Sequence, residues 1–237
     1  MSSIYEVPVD PAEETLSAKN KRIIPGSAMT ICFDPTCQFV VMGYSKKSIQ
    51  ERGCVWKCPC GRPEASDVPD FEARNAALLQ FTRCAHRERQ NETGLRDEDF
   101  QVIEPLKYVR FTHPRFSNGE QIGASLQQWH FVGLLKPGVV LPKNAIESDE
   151  MGDPEYWDVI NVLRLPRWGE KVPQSQKVNP YHQLAIAKCI IELRDANVAQ
   201  LPQFAGLKEL LLRIYESGTE IDNYVLDLHR RILLGEI

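Results

Sequence analysis

Short apolar runs of strand length alternate with polar turns over the first half of the chain, and long periodic helical stretches fill the end. Ser27–Phe33 (SAMTICF) and Gln38–Tyr44 (QFVVMGY) are β-prone runs separated by Asp34-Pro35-Thr36, a turn signal, which predicts a hairpin. Cys54–Lys57 reads as a third short strand. From Phe71 to Glu92 there is no Gly or Pro; Asp70 suits an N-cap, and Phe71, Leu78, Phe81 and Ala85 recur at helical spacing. Strands return at Phe100–Leu106, Lys107–Thr112 and Leu126–Leu135, the last two separated by the polar loop HPRFSNGEQIGAS. Asp149 to Glu155 reads as an acidic connection, and Trp157–Leu165 as a last strand or the start of a helix. Apolar stripes then predict helices at Tyr181–Asp195, Leu207–Ser217 and Ile221–Leu234.

At 237 residues the chain can hold one domain with a sizeable core, or a core domain with a helical appendage. Residues 1–22 are polar and acidic and read as a flexible arm. A net charge of −4 gives no electrostatic argument for nucleic acid or an anionic membrane. No apolar run reaches the length of a membrane span, and the N-terminus lacks a signal-peptide core, so a cytoplasmic protein is expected. Seven cysteines, an odd number scattered through apolar segments, fit reduced buried thiols better than a disulfide framework.

The stretch Arg87-Glu88-Arg89-Gln90-Asn91-Glu92-Thr93-Gly94-Leu95 carries the chemistry. Glu88 and Glu92 lie four residues apart and share a helix face, with Asn91 beside them, and Gly94 is placed to end the helix in a left-handed cap. Such a face could hold Mg²⁺, which takes a few carboxylate oxygens and keeps waters for a phosphate-bearing substrate. The bland alternative is a solvated polar face.

This stretch resembles the second half of the Nudix box, G-x5-E-x7-R-E-U-x-E-E-x-G-U with U aliphatic. Arg87, Glu88, Glu92, Gly94 and Leu95 fall on its R, E, last E, G and final U. Asn91 stands in place of a glutamate, Arg89 in place of an aliphatic residue, and Leu79 where the box has its first glutamate. Trp56–Arg62 looks like the W-x-L-P-x-G-R approach to the box, which makes Gly61 its glycine. Gly61 and Arg87 are then about twelve residues further apart than the family spacing, and the helical pattern predicts that the extra residues lengthen the helix. The box resemblance covers about residues 54–95, and a weaker likeness in strand order about 25–165.

The resemblance implies an α/β fold, a Nudix-like α/β/α sandwich with a mixed sheet at about residues 23–170, and a helical C-terminal extension over 171–237. It implies Mg²⁺- or Mn²⁺-dependent hydrolysis of a small-molecule diphosphate. Glu88 would be metal ligand or base, Glu92 a metal ligand, and Arg87 the group orienting them. Trp56, Lys57, Arg62 and Trp129 would face the substrate, although aromatics in strands usually pack. Lys46 and Lys47 could reach a phosphate.

Asn91 supplies a neutral oxygen where the family has a charge, which weakens cation affinity. The altered box therefore keeps two other readings open: a binding or scaffold protein that has lost hydrolysis, and a metal-free enzyme repurposed for acid–base chemistry on an organic substrate. Asn91→Glu is expected to strengthen metal binding if the alignment holds.

Cys54, Cys58 and Cys60, with Cys84 and His86, lack the spacing of a zinc knuckle and read as buried thiols. No nucleophile elbow, phosphate loop or dinucleotide fingerprint is present, and His130 reads as a core or pocket-wall residue. The terminal helices are expected to cap Phe71, Leu78 and Phe81, with a homodimer interface as their alternative use.

Overall fold

A computed structural model describes residues 26–46, 56–69, 76–106, 111–113, 116–117, 120–121, 126–143, 151–164 and 177–234. The expected N-terminal arm, the Asp70 cap, Phe71, Lys47 and Cys54 lie outside these residues.

The hairpin forms where the turn residues place it. β1 (Ser27–Phe33) and β2 (Phe39–Ser45) pair antiparallel. The Asp34 carboxylate accepts from Phe39 N at 2.8 Å, Thr36 N at 3.1 Å and Thr36 Oγ1 at 2.6 Å, closing the turn with local hydrogen bonds. β3 (Trp56–Lys57) pairs with β2, and β4 (Cys60–Gly61) with the start of β1. On its other side β1 runs parallel to β9 (Leu126–Leu135) along its whole length. β5 (Phe100–Pro105) and β6 (Phe111–His113) pair antiparallel with β9.

The edge beside β2 is β10 (Met151–Asp158), which runs directly into α2 (Val159–Arg164). Residues 151–155 are therefore strand and not the expected acidic connection. An edge strand tolerates charge and a proline such as Pro154, so it lacks the apolar alternation by which inner strands are recognised. The predicted polar loop after β6 likewise contains a small hairpin, β7 (Phe116–Ser117) with β8 (Glu120–Gln121).

β1 is buried on both faces, and its alternation sorts the molecule into layers. Ala28 faces α1 (Ala76–Thr93), where it packs with Ala77, Phe81, Cys84, Ala85, Trp129 and Phe131. Met29, Ile31 and Phe33 face the opposite way, into a cluster with Val132, Leu134 and the helices α3 (Pro180–Asp195), α4 (Ala205–Glu216) and α5 (Ile221–Leu233). The result is a mixed sheet between two helical layers, an α/β/α sandwich.

This corrects the expected packing of the long helix. Phe81 stacks on Trp129 with ring centroids 5.0 Å apart, and Leu78 joins the same cluster on the sheet. The C-terminal helices lie across the sheet from them, because β1 and β9 present a second apolar face that only another helical layer can cover. No described helix is long and apolar enough to cross a membrane.

Candidate functional site

The site forms where the β3–β4 segment meets the C-terminal half of α1. Gly94, at φ +71°, ends this helix in the expected left-handed cap, and its N–H donates to Gln90 O at 2.8 Å. Gly61 lies hard against the helix: a Cβ there would sit 2.0 Å from Glu88 Cδ. Only a residue without a side chain allows this approach, and it brings Trp56–Arg62 against Arg87, Glu88 and Glu92 despite the longer intervening chain.

The described part of that intervening chain, residues 62–69, is not part of the helix, and the expected extension from Asp70 to residue 75 lies outside the described residues. Ala65–Asp67 forms a 3₁₀ turn in which Glu64 N donates to Asp67 Oδ2 at 2.8 Å and Asp67 N to Glu64 O at 3.0 Å. Pro63 and Pro69 flank the turn and disfavour a continuous helix. The segment folds back, contrary to expectation, and sets the buried Asp67 carboxylate against Arg87: Nη2 lies 2.9 Å and Nε 3.3 Å from Oδ2. Arg87 Nη2 also donates to Arg62 O at 2.9 Å, and Nη1 to Glu88 Oε1 at 2.7 Å. Burial works against the Arg87 charge, but its hydrogen bond to Asp67 and the Glu88 carboxylate outweigh this and hold its pKa above the ordinary value. Arg87 thus holds the Glu88 carboxylate by a direct hydrogen bond.

Glu92 is the most enclosed of the carboxylates. Its side chain is 2% exposed. Oε2 accepts from Cys60 N at 2.8 Å, and Oε1 lies 2.6 Å from Lys57 Nζ. Burial disfavours the Lys57 ammonium, while Cys60, Glu92 and Glu88 together more than offset that and keep its pKa above the ordinary lysine value. Lys57, expected to face substrate, is the internal counter-ion of Glu92.

A third layer of the site comes from α3. The backbone of Trp56 bonds to Lys177 and Asn179, and Asn179 caps α3 by accepting from Tyr181 N at 2.9 Å. This docks His182 under the strand, where Nδ1 accepts from Cys58 N at 3.0 Å and Nε2 lies 3.8 Å from Cys60 Sγ. Burial, with help from Lys57, depresses the His182 pKa to about 3, so its ring is neutral. Burial also raises the Cys60 thiol to about 12 against the opposing pull of Lys57, leaving it unionised and a poor nucleophile. No sequence motif marks His182; its only signal is a polar residue among the apolar positions of a buried helix.

The other expected site residues are separated. Trp129 stacks in the core on Phe81, and Trp56 packs against Tyr44 and Trp157, the latter with centroids 4.6 Å apart. Arg62 contributes its carbonyl to Arg87. Asn91 lines a cleft with Arg83, Arg87 and Arg96, a space to which Glu88 and Glu92 contribute nothing. Arg89, in the box's aliphatic position, is 1% exposed: its guanidinium carbon lies 4.8 Å from the Phe100 ring centroid, and its head pairs with Asp97. The long stem fills the apolar position and the charge is met locally.

A divalent metal does not fit this donor set as it stands. Both Glu92 oxygens and Glu88 Oε1 are engaged by protein donors, and the Lys57 ammonium occupies the position against Glu92 that a cation would need. Among the described residues no group of three or more His, Cys, Asp or Glu is arranged to hold a metal ion.

No family model matches the chain, and no curated protein does. Solved structures are similar at low identity. The dihydroneopterin triphosphate pyrophosphohydrolase of E. coli is 13% identical, with 71% of this chain and 97% of that chain covered, at a TM-score of 0.44. A Nudix hydrolase from Nitrosomonas europaea is 12% identical over 73% and 89%, at 0.46. The Nudix domain of Shewanella oneidensis NrtR, complexed with ADP ribose, is 14% identical over 79% and 99%, at 0.44. The chemistry of the site rests on its own side chains.

Proposed function

We propose that this chain is a Nudix-like protein that has lost metal-dependent hydrolysis and acts by binding. The observation that supports this is the Lys57–Glu92 pair at 2.6 Å, with Lys57 16% and Glu92 2% exposed. A buried ammonium on the box's last glutamate supplies in covalent form the charge that a metal would bring. It cannot bind water as a Lewis acid does, so the step that a metal makes possible, lowering the pKa of an attacking water, has no agent here. The loss of a glutamate at Leu79 supports the same reading, since it removes an anionic ligand that would favour a cation over Lys57. Reuse of the pocket for acid–base or nucleophilic work gains no support, because Cys60 stays protonated and His182 neutral in the physiological range.

The test is a panel of nucleoside diphosphate derivatives, inositol pyrophosphates and prenyl diphosphates assayed for phosphate release with Mg²⁺ and Mn²⁺. Thermal-shift titration with each metal runs in parallel. We expect no turnover above the uncatalysed rate and no metal-dependent stabilisation. Turnover of any compound that depends on metal and is lost in Glu88→Gln would overturn the proposal.

A further inference from the structure

Beside the C-terminal half of α1 and the residues that follow it lies a cleft of about 490 Å³, within the usual range for small-molecule sites, to which Glu92 does not contribute. Four guanidinium side chains line it, Arg83, Arg87, Arg89 and Arg96, against two carboxylates, Asp97 and Glu98. The inner two are fixed in place. Arg87 is held by Asp67, Glu88 and the Arg62 carbonyl, and Arg89 by Leu95 O at 3.3 Å, Asp97 and the Phe100 ring. Arginine forks ordered before binding match the paired oxygens of a phosphate or carboxylate at little further entropic cost.

Arg89 gives the decisive detail. It is 1% exposed, lines the cleft, and its Nη1 has no hydrogen-bond partner among the described residues. A buried donor without an acceptor is costly, and the Phe100 ring face is a weak acceptor that does not offset the loss. From the cavity, the ordered guanidiniums and the unmatched Nη1, we infer that this cleft binds the oxyanion of a small phosphorylated, hydroxyl-bearing molecule.

The remaining lining residues fix the rest of the ligand's character. Gln90 and Asn91 offer amide donors and acceptors, and the carboxylates of Asp97 and Glu98 accept from hydroxyl groups while opposing a polyanion. The His86 imidazole also lines the cleft, its Nδ1 3.2 Å from Asp97 Oδ2, but no Trp, Tyr or Phe does among the described residues, so an apolar chain has no platform and a stacked base only this small ring. The fit is a phosphate monoester on a short polyol or sugar. This inference does not rest on the Lys57 reading, since the cleft shares only Arg87 with that site.

The experiment is calorimetric titration of the full chain with inorganic phosphate, glycerol 3-phosphate and glycerol. Saturable binding of both phosphates is expected, tighter for glycerol 3-phosphate, with none for glycerol. The variant Arg83→Ala/Arg96→Ala removes two exposed charges without touching the core and should weaken binding at least about tenfold, or about 1.4 kcal/mol. Arg89→Met should abolish it; if that variant does not fold, the exposed double variant decides. The charge-free double variant Lys57→Met/Glu92→Met, in which apolar side chains replace the buried pair, should bind phosphate as the wild type does, which separates this test from that of the Lys57–Glu92 site. Absence of saturable binding at millimolar phosphate, equal affinity in the double variant, or binding of glycerol alone would overturn the inference.

Discussion

Replacing Lys57 by Met keeps most of the side-chain volume and removes the charge, which isolates what the ammonium contributes. At 2.6 Å and an effective dielectric constant near 20, the Lys57–Glu92 attraction is about 6 kcal/mol before desolvation of both groups is counted. What the variant measures is the cost of leaving Glu92 buried with no counter-charge, about 3–5 kcal/mol in comparable cases. That is a large share of a domain's total stability, so the denaturant midpoint should fall well below that of the wild type. The double variant Lys57→Met/Glu92→Met removes both charges and should recover most of the loss, because well-packed apolar side chains replace a buried ion pair at little or no cost. With Lys57 gone, Glu92 and Glu88 can accept an external cation. Mn²⁺ should then stabilise Lys57→Met by RT ln(1 + [L]/Kd), about 2.7 kcal/mol at a hundredfold excess over Kd, and leave the wild type unchanged. Urea denaturation with and without metal measures every term. A loss below about 1 kcal/mol in Lys57→Met, set against the 3–5 expected, would refute the reasoning. So would equal metal stabilisation of wild type and variant.

Three other outcomes follow from the same geometry. Asn91→Glu is expected to leave metal binding unchanged, since Asn91 lines the arginine cleft instead of the Glu88–Glu92 enclosure; Mn²⁺ titration checks this against the strengthening expected from the box alignment. Gly61→Ala drives a methyl group into Glu88 and should cost about 1–3 kcal/mol by denaturation, with much of that relieved in Gly61→Ala/Glu88→Ala, where the obstructing carboxylate is gone. His182 is held neutral with a pKa of about 3, below its unfolded value near 6.5, so the unfolded chain takes up a proton first as pH falls. Stability from this residue is intact at neutral pH and is lost progressively between about pH 6.5 and 3, amounting to about 2 kcal/mol at pH 5. Burial lowers the His130 pKa as well, so the fall should persist, with a shallower slope, in His182→Gln.

Local order was written into the sequence, because it depends on neighbours along the chain. Asp34-Pro35-Thr36 closes its hairpin through bonds spanning two to five residues, Gly94 caps its helix in the conformation only its position requires, and β1 and β9 form where their apolar runs lie. The Arg87-Glu88 contact lies within one turn and was equally legible. Edge strand β10 was not, since one open side relaxes the alternation that marks a strand. What the site can do was decided in three dimensions. Lys57 and Glu92 are 35 residues apart, Asp67 and Arg87 are 20 apart, and His182 reaches Cys58 from 124 residues away. No local pattern records such pairings: each follows from which face of β1 a helix covers and from a glycine that leaves room for the Glu88 carboxylate. The sequence determined that a carboxylate face would exist on α1; only the fold decided that a lysine of the protein's own would occupy it.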